Sequence, residues 1–272
     1  MEKAKHIDVS VNTADLRDCY LADIQNLLDV ILFVYAGESC VTAESYQNQS
    51  QIGFMTFHPA IDRRLSYGEA REKSTQWLLT SFLTDSVNAT GNFLDECRKI
   101  CAIYRLSSKG RVIGQEFNDI FGKEWKRFHH LDFPKKFDDL RKEFGVQTVF
   151  ETHFLSMNKT RNCLIHRKGV VTSQDTNDNG RLTLKWSVLS VVAKPPGSEV
   201  ETVVDSSFAV ETGCLIGFRF MDKHRSFEIG QRIKLTLPEL YESISTLYAF
   251  ATTRVESIES YGTAQGVCKA AS

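Results

Sequence analysis

The side chains best suited to chemistry lie in one stretch, NKTRNCLIHRK at 158–168. A histidine titrates near neutral pH and can take or give a proton. An arginine grips phosphate oxygens in pairs and stabilises the extra charge of a phosphoryl transition state. An asparagine orients a group without changing its charge. His166, Arg161 and Asn162 together suit cleavage of RNA by its own 2′-hydroxyl. The histidine removes the 2′ proton, the arginine stabilises the five-coordinate phosphorus, and no metal is needed. DNA is refused because it lacks the nucleophile. The plainer reading is a helix end, where cations gather because the helix dipole favours them. On residue types alone that reading is the commoner one.

These residues need a helix to position them. The spacing predicts one over 148–166, with Gly169 as its terminator. Phe150, Phe154, Met157, Arg161 and Leu164 recur at helical steps. Asn158, Asn162 and His166 form a neighbouring polar stripe at i, i+4 and i+8. Such a stripe is solvated or lines a groove. Arg161 and His166 are separated by roughly 140° around an ideal helix. They meet on one ligand only through the reach of two long side chains. Arg167 and Lys168 add positive charge at the exit. With Asn158 they are the candidate substrate-binding residues.

The remaining pattern is mostly helical. A helix is expected over 13–35, with Thr13 as cap and Gly37 as stop. A longer one is expected over 67–106, bent or broken at Gly91, its apolar stripe including Trp77 and Phe82. FPKKFDDLRKEFG reads as a short helix bracketed by Pro134 and Gly145. After Gly169 the pattern changes. RLTLKWSVLSVVA, FAV at 208–210, CLIGFRFMD and RIKLTL read as strands, and a final helix follows over 238–260. The expected fold class is mainly α, an antiparallel helical bundle with a small antiparallel β insertion over 181–237, before the last helix. The expected domains are an N-terminal helix and loop over 1–66, packed on the bundle, a main domain over 67–262, and a loose tail over 263–272.

Composition sets limits on function. Of 272 residues, 42% are apolar and 25% charged, the profile of a globular protein. The formal net charge of −1 gives no global pull towards nucleic acid or membrane. Any nucleic-acid site must be a local basic patch, assembled from one chain or two. Seven scattered cysteines argue for reduced thiols and a cytoplasmic location. Cys97 and Cys101, one helical turn apart, read as small buried residues, because no second Cys/His pair stands at zinc-like spacing. The opening MEKAKHIDVS is not apolar, so no signal peptide is expected. The apolar stretch at 27–36 contains Asp29 and reads as too short to span a bilayer. No membrane association is expected.

Other clusters are weaker. KEWKRFHH at 123–130 could stack and grip single-stranded nucleic acid, but reads better as an amphipathic segment with a solvated basic face. His129 and His130 are adjacent, so on a helix they point apart. His153 reads as a packed residue. Asp138 and Asp139 read as an exposed helix face with charge pairs three and four residues on. There is no Gly-rich phosphate loop, G-x-S-x-G elbow or H-E-x-x-H pair, and no metal or cofactor is expected.

RNCLIH, Arg161-Asn162-x-x-x-His166, resembles the R-x4–6-H motif of HEPN domains. The polar residue after the arginine, the place near a helix end and the following RKGVV fit that pattern. The likeness is specific over about ten residues and extends loosely, as helical layout, over 67–260. It implies a bundle of four or five helices acting as a metal-independent endoribonuclease. It implies a homodimer whose two motifs face each other across a cleft, with RNA as substrate. It implies roles such as toxin, phage-defence effector or RNA-processing factor, with an antitoxin or defence-system protein as a possible partner. Carried over, Arg161 and His166 are catalytic and Asn162 supports them. Two copies of Arg161, Arg167 and Lys168 would then meet in one groove. The β-rich segment departs from the family pattern and reads as an insertion. Two other readings stand beside this one. The first is a non-catalytic HEPN module, serving as a dimeric scaffold or nucleotide-binding partner. The second is a plain helical interaction protein in which the motif is accidental.

Overall fold

The computed structural model describes residues 11–48, 51–52, 55–56, 65–109, 119–204 and 213–268. Among these the chain is mainly helical, with a small three-stranded antiparallel sheet. In order, the elements are α1 Thr13–Cys40, α2 Ala43–Asn48, β1 Gln51–Ile52, β2 Met55–Thr56, α3 Tyr67–Ser107, a π-helical turn Asp119–Glu124, α4 Trp125–His129, α5 Phe133–Phe144, α6 Glu151–His166, β3 Leu182–Lys194, β4 Thr202–Val203, β5 Leu215–Phe227 and α7 Leu237–Ala264.

Local chemistry explains the helix ends. Before α3, the Ser66 N–H and hydroxyl donate to the Glu69 carboxylate, a reciprocal capping box. Thr236 and Glu239 form the same box at α7. At α6 the Thr148 N–H donates to Glu151, so 148–150 cap the helix and it begins at Glu151 rather than at 148. Asp132 caps α5 by accepting from the Lys135 N–H. Gly145 ends α5 in the left-handed conformation at φ 70°.

Four expectations change. α1 runs through Gly37 to Cys40, because a glycine inside a helix costs only about 1 kcal/mol relative to alanine. It is therefore a 28-residue helix, long and apolar enough to cross a membrane, contrary to the shorter stretch read at 27–36. Its Tyr20, Ile24, Leu28 and Ile31 are buried, while Phe33 and Val34 are exposed. α3 is continuous through Gly91, where the missing Cβ leaves room for the Phe133 ring. RIKLTL is not a strand. It makes a single bridge, Arg232 to Val170, and the Gln76 side chain takes both the N–H and C=O of Leu235. Those backbone groups are satisfied without a ladder. The strand expected at 208–210 lies outside the described residues.

The chain divides into two compact units. The first comprises 1–23, 88–155 and 247–272. Its core holds Phe93, Phe128, Phe137, Phe154 and Phe250, with ring pairs such as Phe137–Phe154 at 5.8 Å. Three cations are buried among these rings. Arg254 has no solvent exposure; it donates to Glu151 at 2.7 Å and to the Val146 carbonyl at 3.0 Å, and lies over Phe137 and Phe250. Lys136 pairs with Asp95, and Arg98 with Asp139 and Glu124. Asp138 keeps the exposed pairing expected of it, whereas Asp139 turns inward to Arg98. After α7, the Val267 and Cys268 N–H groups fold back to the Gly262 carbonyl.

The second unit comprises 24–87 and 156–246. Its sheet has the order β4-β3-β5, with β3 and β5 paired antiparallel from Leu182–Phe227 to Lys194–Leu215. The Ser187 N–H donates to the Thr246 hydroxyl, and the Trp186 indole N–H to Glu242, tying α7 to β3. Ser156 of α6 both donates to and accepts from the Lys185 backbone. These bonds hold the first part of the motif helix against the sheet.

The buried Arg254–Glu151 pair makes a stability prediction. Glu151→Ala leaves a guanidinium without its carboxylate and is expected to cost about 3–5 kcal/mol. Arg141, the half-exposed second partner of Glu151, is expected to cost under about 1 kcal/mol when changed to alanine. Urea midpoints of the two variants would decide it, and equal small losses would refute the account.

Candidate functional site

α6 carries the motif, and its last turn decides how the side chains emerge. The helix closes with the Arg167 and Gly169 N–H groups both on the Cys163 carbonyl. This closure places Lys168 at φ 52° and Gly169 at φ 73°. A lysine in the left-handed region stores strain of about 1 kcal/mol or more. Gly169 is required on two counts. Its φ is left-handed, and an added Cβ would come within 3.3 Å of Leu164. The chain then pairs with the 230–233 segment, Ile233 N–H to the Gly169 carbonyl at 2.8 Å and Val171 N–H to the Gln231 carbonyl at 3.0 Å.

The predicted residues are distributed as follows. His166 is exposed and makes no hydrogen bond or ion pair among the described residues. Arg161 is partly buried; its Nη1 donates to Asn162 Oδ1 at 3.0 Å, and its Nε is enclosed without a partner. Asn158 is partly buried on the same helix. Arg161 and Asn162 are thus joined, and neither is hydrogen-bonded to His166. Lys168 is exposed, and its carbonyl accepts from Arg232 at 2.8 Å. Arg167 is committed elsewhere. Its guanidinium is bidentate on the fully buried Asp175, with Nε 2.7 Å from Oδ2. Burial acts to raise the Asp175 pKa. The Arg167 bonds and those from the Thr172 N–H and hydroxyl outweigh it and hold the carboxyl below its usual range. Burial pushes the Cys163 thiol up to about 11, so it stays protonated and is no nucleophile.

Beside the motif lies a cleft of about 650 Å³. Leu164, Lys168 and Gly169 form one wall, the 232–234 segment another, and Lys73, Gln76, Trp77 and Thr80 of α3 the third. Trp77 is 70% exposed. The sequence reading missed this site by assigning Trp77 to the apolar stripe of α3. The usable signal was Glu69, Lys73, Gln76 and Thr80 at helical steps around it, a polar face on which an indole is out of place. It also missed Asp175, a carboxylate eight residues beyond Arg167 in a turn.

Elsewhere, in the first unit, His129 Nδ1 lies 2.6 Å from the buried Asp95, and its ring stacks on Trp125. Lys136 occupies the other Asp95 oxygen, so the carboxylate is already neutralised. His153 is buried. Among the described residues no group of three or more His, Cys, Asp or Glu side chains could hold a metal. No family model, curated protein or solved structure matches the chain.

Asp175 gives a pH prediction with a definite sign. Its folded pKa lies below the unfolded value of about 3.9. Its contribution is therefore complete above that value and lost as pH falls through the folded pKa. Arg167→Ala is expected to cost about 3 kcal/mol at pH 7 and to flatten the acid fall in stability below about pH 4. Denaturation curves from pH 7 to pH 2 would test this; an acid limb as steep as wild type would contradict it.

Proposed function

We propose that this chain is a metal-independent endoribonuclease with a HEPN-like bundle, acting as a homodimer. The observation that carries the reading is His166. It stands at the exposed end of α6, free of partners among the described residues, on the helix that carries the linked Arg161–Asn162 pair.

In this reading His166 removes the proton from the RNA 2′-hydroxyl. O2′ attacks phosphorus, Arg161 neutralises the extra charge on the phosphoryl oxygens, and the bond to O5′ breaks. The O5′ leaving group takes a proton, giving a 2′,3′-cyclic phosphate and a 5′-hydroxyl. Asn162 holds the guanidinium in place. Lys168 supplies positive charge at the helix exit, while Arg167, engaged by Asp175, supplies structure. The resemblance to HEPN domains implies that two chains related by a two-fold axis complete the site. A toxin or defence role, restrained by a second protein, fits such an enzyme.

One observation favours the second reading, a HEPN module that binds without cutting. Arg161 is partly buried, with Nη1 bonded to Asn162 and Nε enclosed, so fewer of its N–H groups are free for a phosphate.

The test is direct. Wild type and His166→Ala are incubated with mixed RNA in EDTA and the ends examined. Loss of a general base predicts a fall in rate of about 10²-fold or more. Cyclic phosphates from wild type alone support the nuclease. Intact RNA after exposure to a pure wild-type dimer, or cleavage equal in the two proteins, sinks it.

A further inference from the structure

We infer that the cleft lined by Trp77, Lys168 and Arg232 holds a nucleotide, its base on the Trp77 indole and its phosphate on the two cations. The inference rests on the RNA reading above for its setting, and on the cleft itself for its chemistry.

The lining is amphipathic in a specific way. Its bases are Lys73, Lys168, Arg232 and Lys234, and its carboxylates are Glu69 and Glu72. Glu72 pairs with Lys234, whereas Glu69 caps α3 through the neutral Ser66 groups and keeps its charge, which acts on Lys73. That leaves Lys168 and Arg232 as the positive side of the cleft. Arg232 is fixed by its bond to the Lys168 carbonyl, so its charge is positioned before any ligand arrives. The apolar part is Leu164 and Ile233, with Trp77 standing 70% exposed. No hydrogen bond among the described residues ties the indole N–H down.

The exposed indole beside a charged cleft offers a flat apolar face next to fixed positive charge. A ligand that uses both is planar and apolar at one end and anionic at the other. A nucleotide has both features within the 300–1,000 Å³ typical of small-molecule sites. Every base has a π-face, so stacking here tolerates any sequence. An acidic peptide would use the cations but gain little from a single flat platform. A free mononucleotide and one link of an RNA strand offer the same chemistry, and the experiment separates them.

The His166→Ala chain, which cannot cut in the reading above, is titrated with AMP and with a short fluorescein-labelled oligoadenylate. Binding is followed by tryptophan fluorescence and by anisotropy. Adding Trp77→Ala is expected to weaken binding roughly tenfold, and Trp77→Phe to restore most of it. Adding Lys168→Ala is expected to reduce the slope of affinity against salt by about one phosphate contact. AMP binding with the same dependence on Trp77 marks a free-nucleotide site; oligoadenylate binding alone marks a strand site. Affinity unchanged by Trp77→Ala overturns the inference, even if wild type cleaves RNA. Displacement of the oligonucleotide by polyglutamate at equal charge also overturns it. Trp77-dependent binding in a protein that never cleaves RNA upholds this inference and removes the nuclease.

Discussion

Arg254 is a guanidinium with no access to water, and the first unit is built around it. A cation in a protein interior is tolerated only when a carboxylate and further acceptors replace its hydration. Glu151 and the Val146 carbonyl do so here, and the faces of Phe137 and Phe250 cover what remains. Glu151 is also the first residue of α6. The same bond that keeps a buried charge neutral therefore fixes where the motif helix starts. Lys136 and Arg98 repeat the arrangement with Asp95 and Asp139, on the rings of Phe128 and Phe144.

The second unit solves a different problem, how to end α6 so that its last residues face outward. A helix end leaves carbonyls without partners. Here the turn at Lys168 and Gly169 takes up Cys163, and the 230–233 segment takes up Gly169 and Val171. Asp175 pins Arg167 from within. The result is a rigid exit carrying one strained lysine, one exposed histidine and a cleft along its side. Rigidity matters to the proposed chemistry, since a misplaced base or cation loses most of its effect on rate.

Much of this was legible from local signals. The S-x-x-E and T-x-x-E boxes, Pro134 and Gly145 mark helix ends through backbone groups only a few residues away, and the helices begin and end close to where those signals lie. The alternating β-branched run at 181–193 reads as a strand for the same local reason. Signals failed where a distant side chain overrode them. RIKLTL has strand composition, but Gln76, far away in sequence, occupies the backbone of Leu235. Gly37 carries a stop signal that nothing nearby enforces. At the candidate site, Arg161, Asn162, His166 and Lys168 are legible because they lie on one short stretch. Trp77, Lys73 and Arg232 join that stretch only through folding.

By itself, the sequence determined the helix-rich class, the strand segment before the last helix and the residue types offered at the end of α6. Each depends on periodicity, capping or composition within a few turns, which chain connectivity alone enforces. Only the tertiary structure decided which charges are free to act. Arg167 and Lys168 are adjacent and chemically alike, yet one is held by a buried aspartate and the other faces the cleft. Asp175 lies eight residues beyond Arg167, and only the turn between them brings its carboxylate onto the guanidinium. Their distance is set by packing, and the electrostatic energy that distinguishes a structural cation from a binding one depends on that distance and on the exclusion of water.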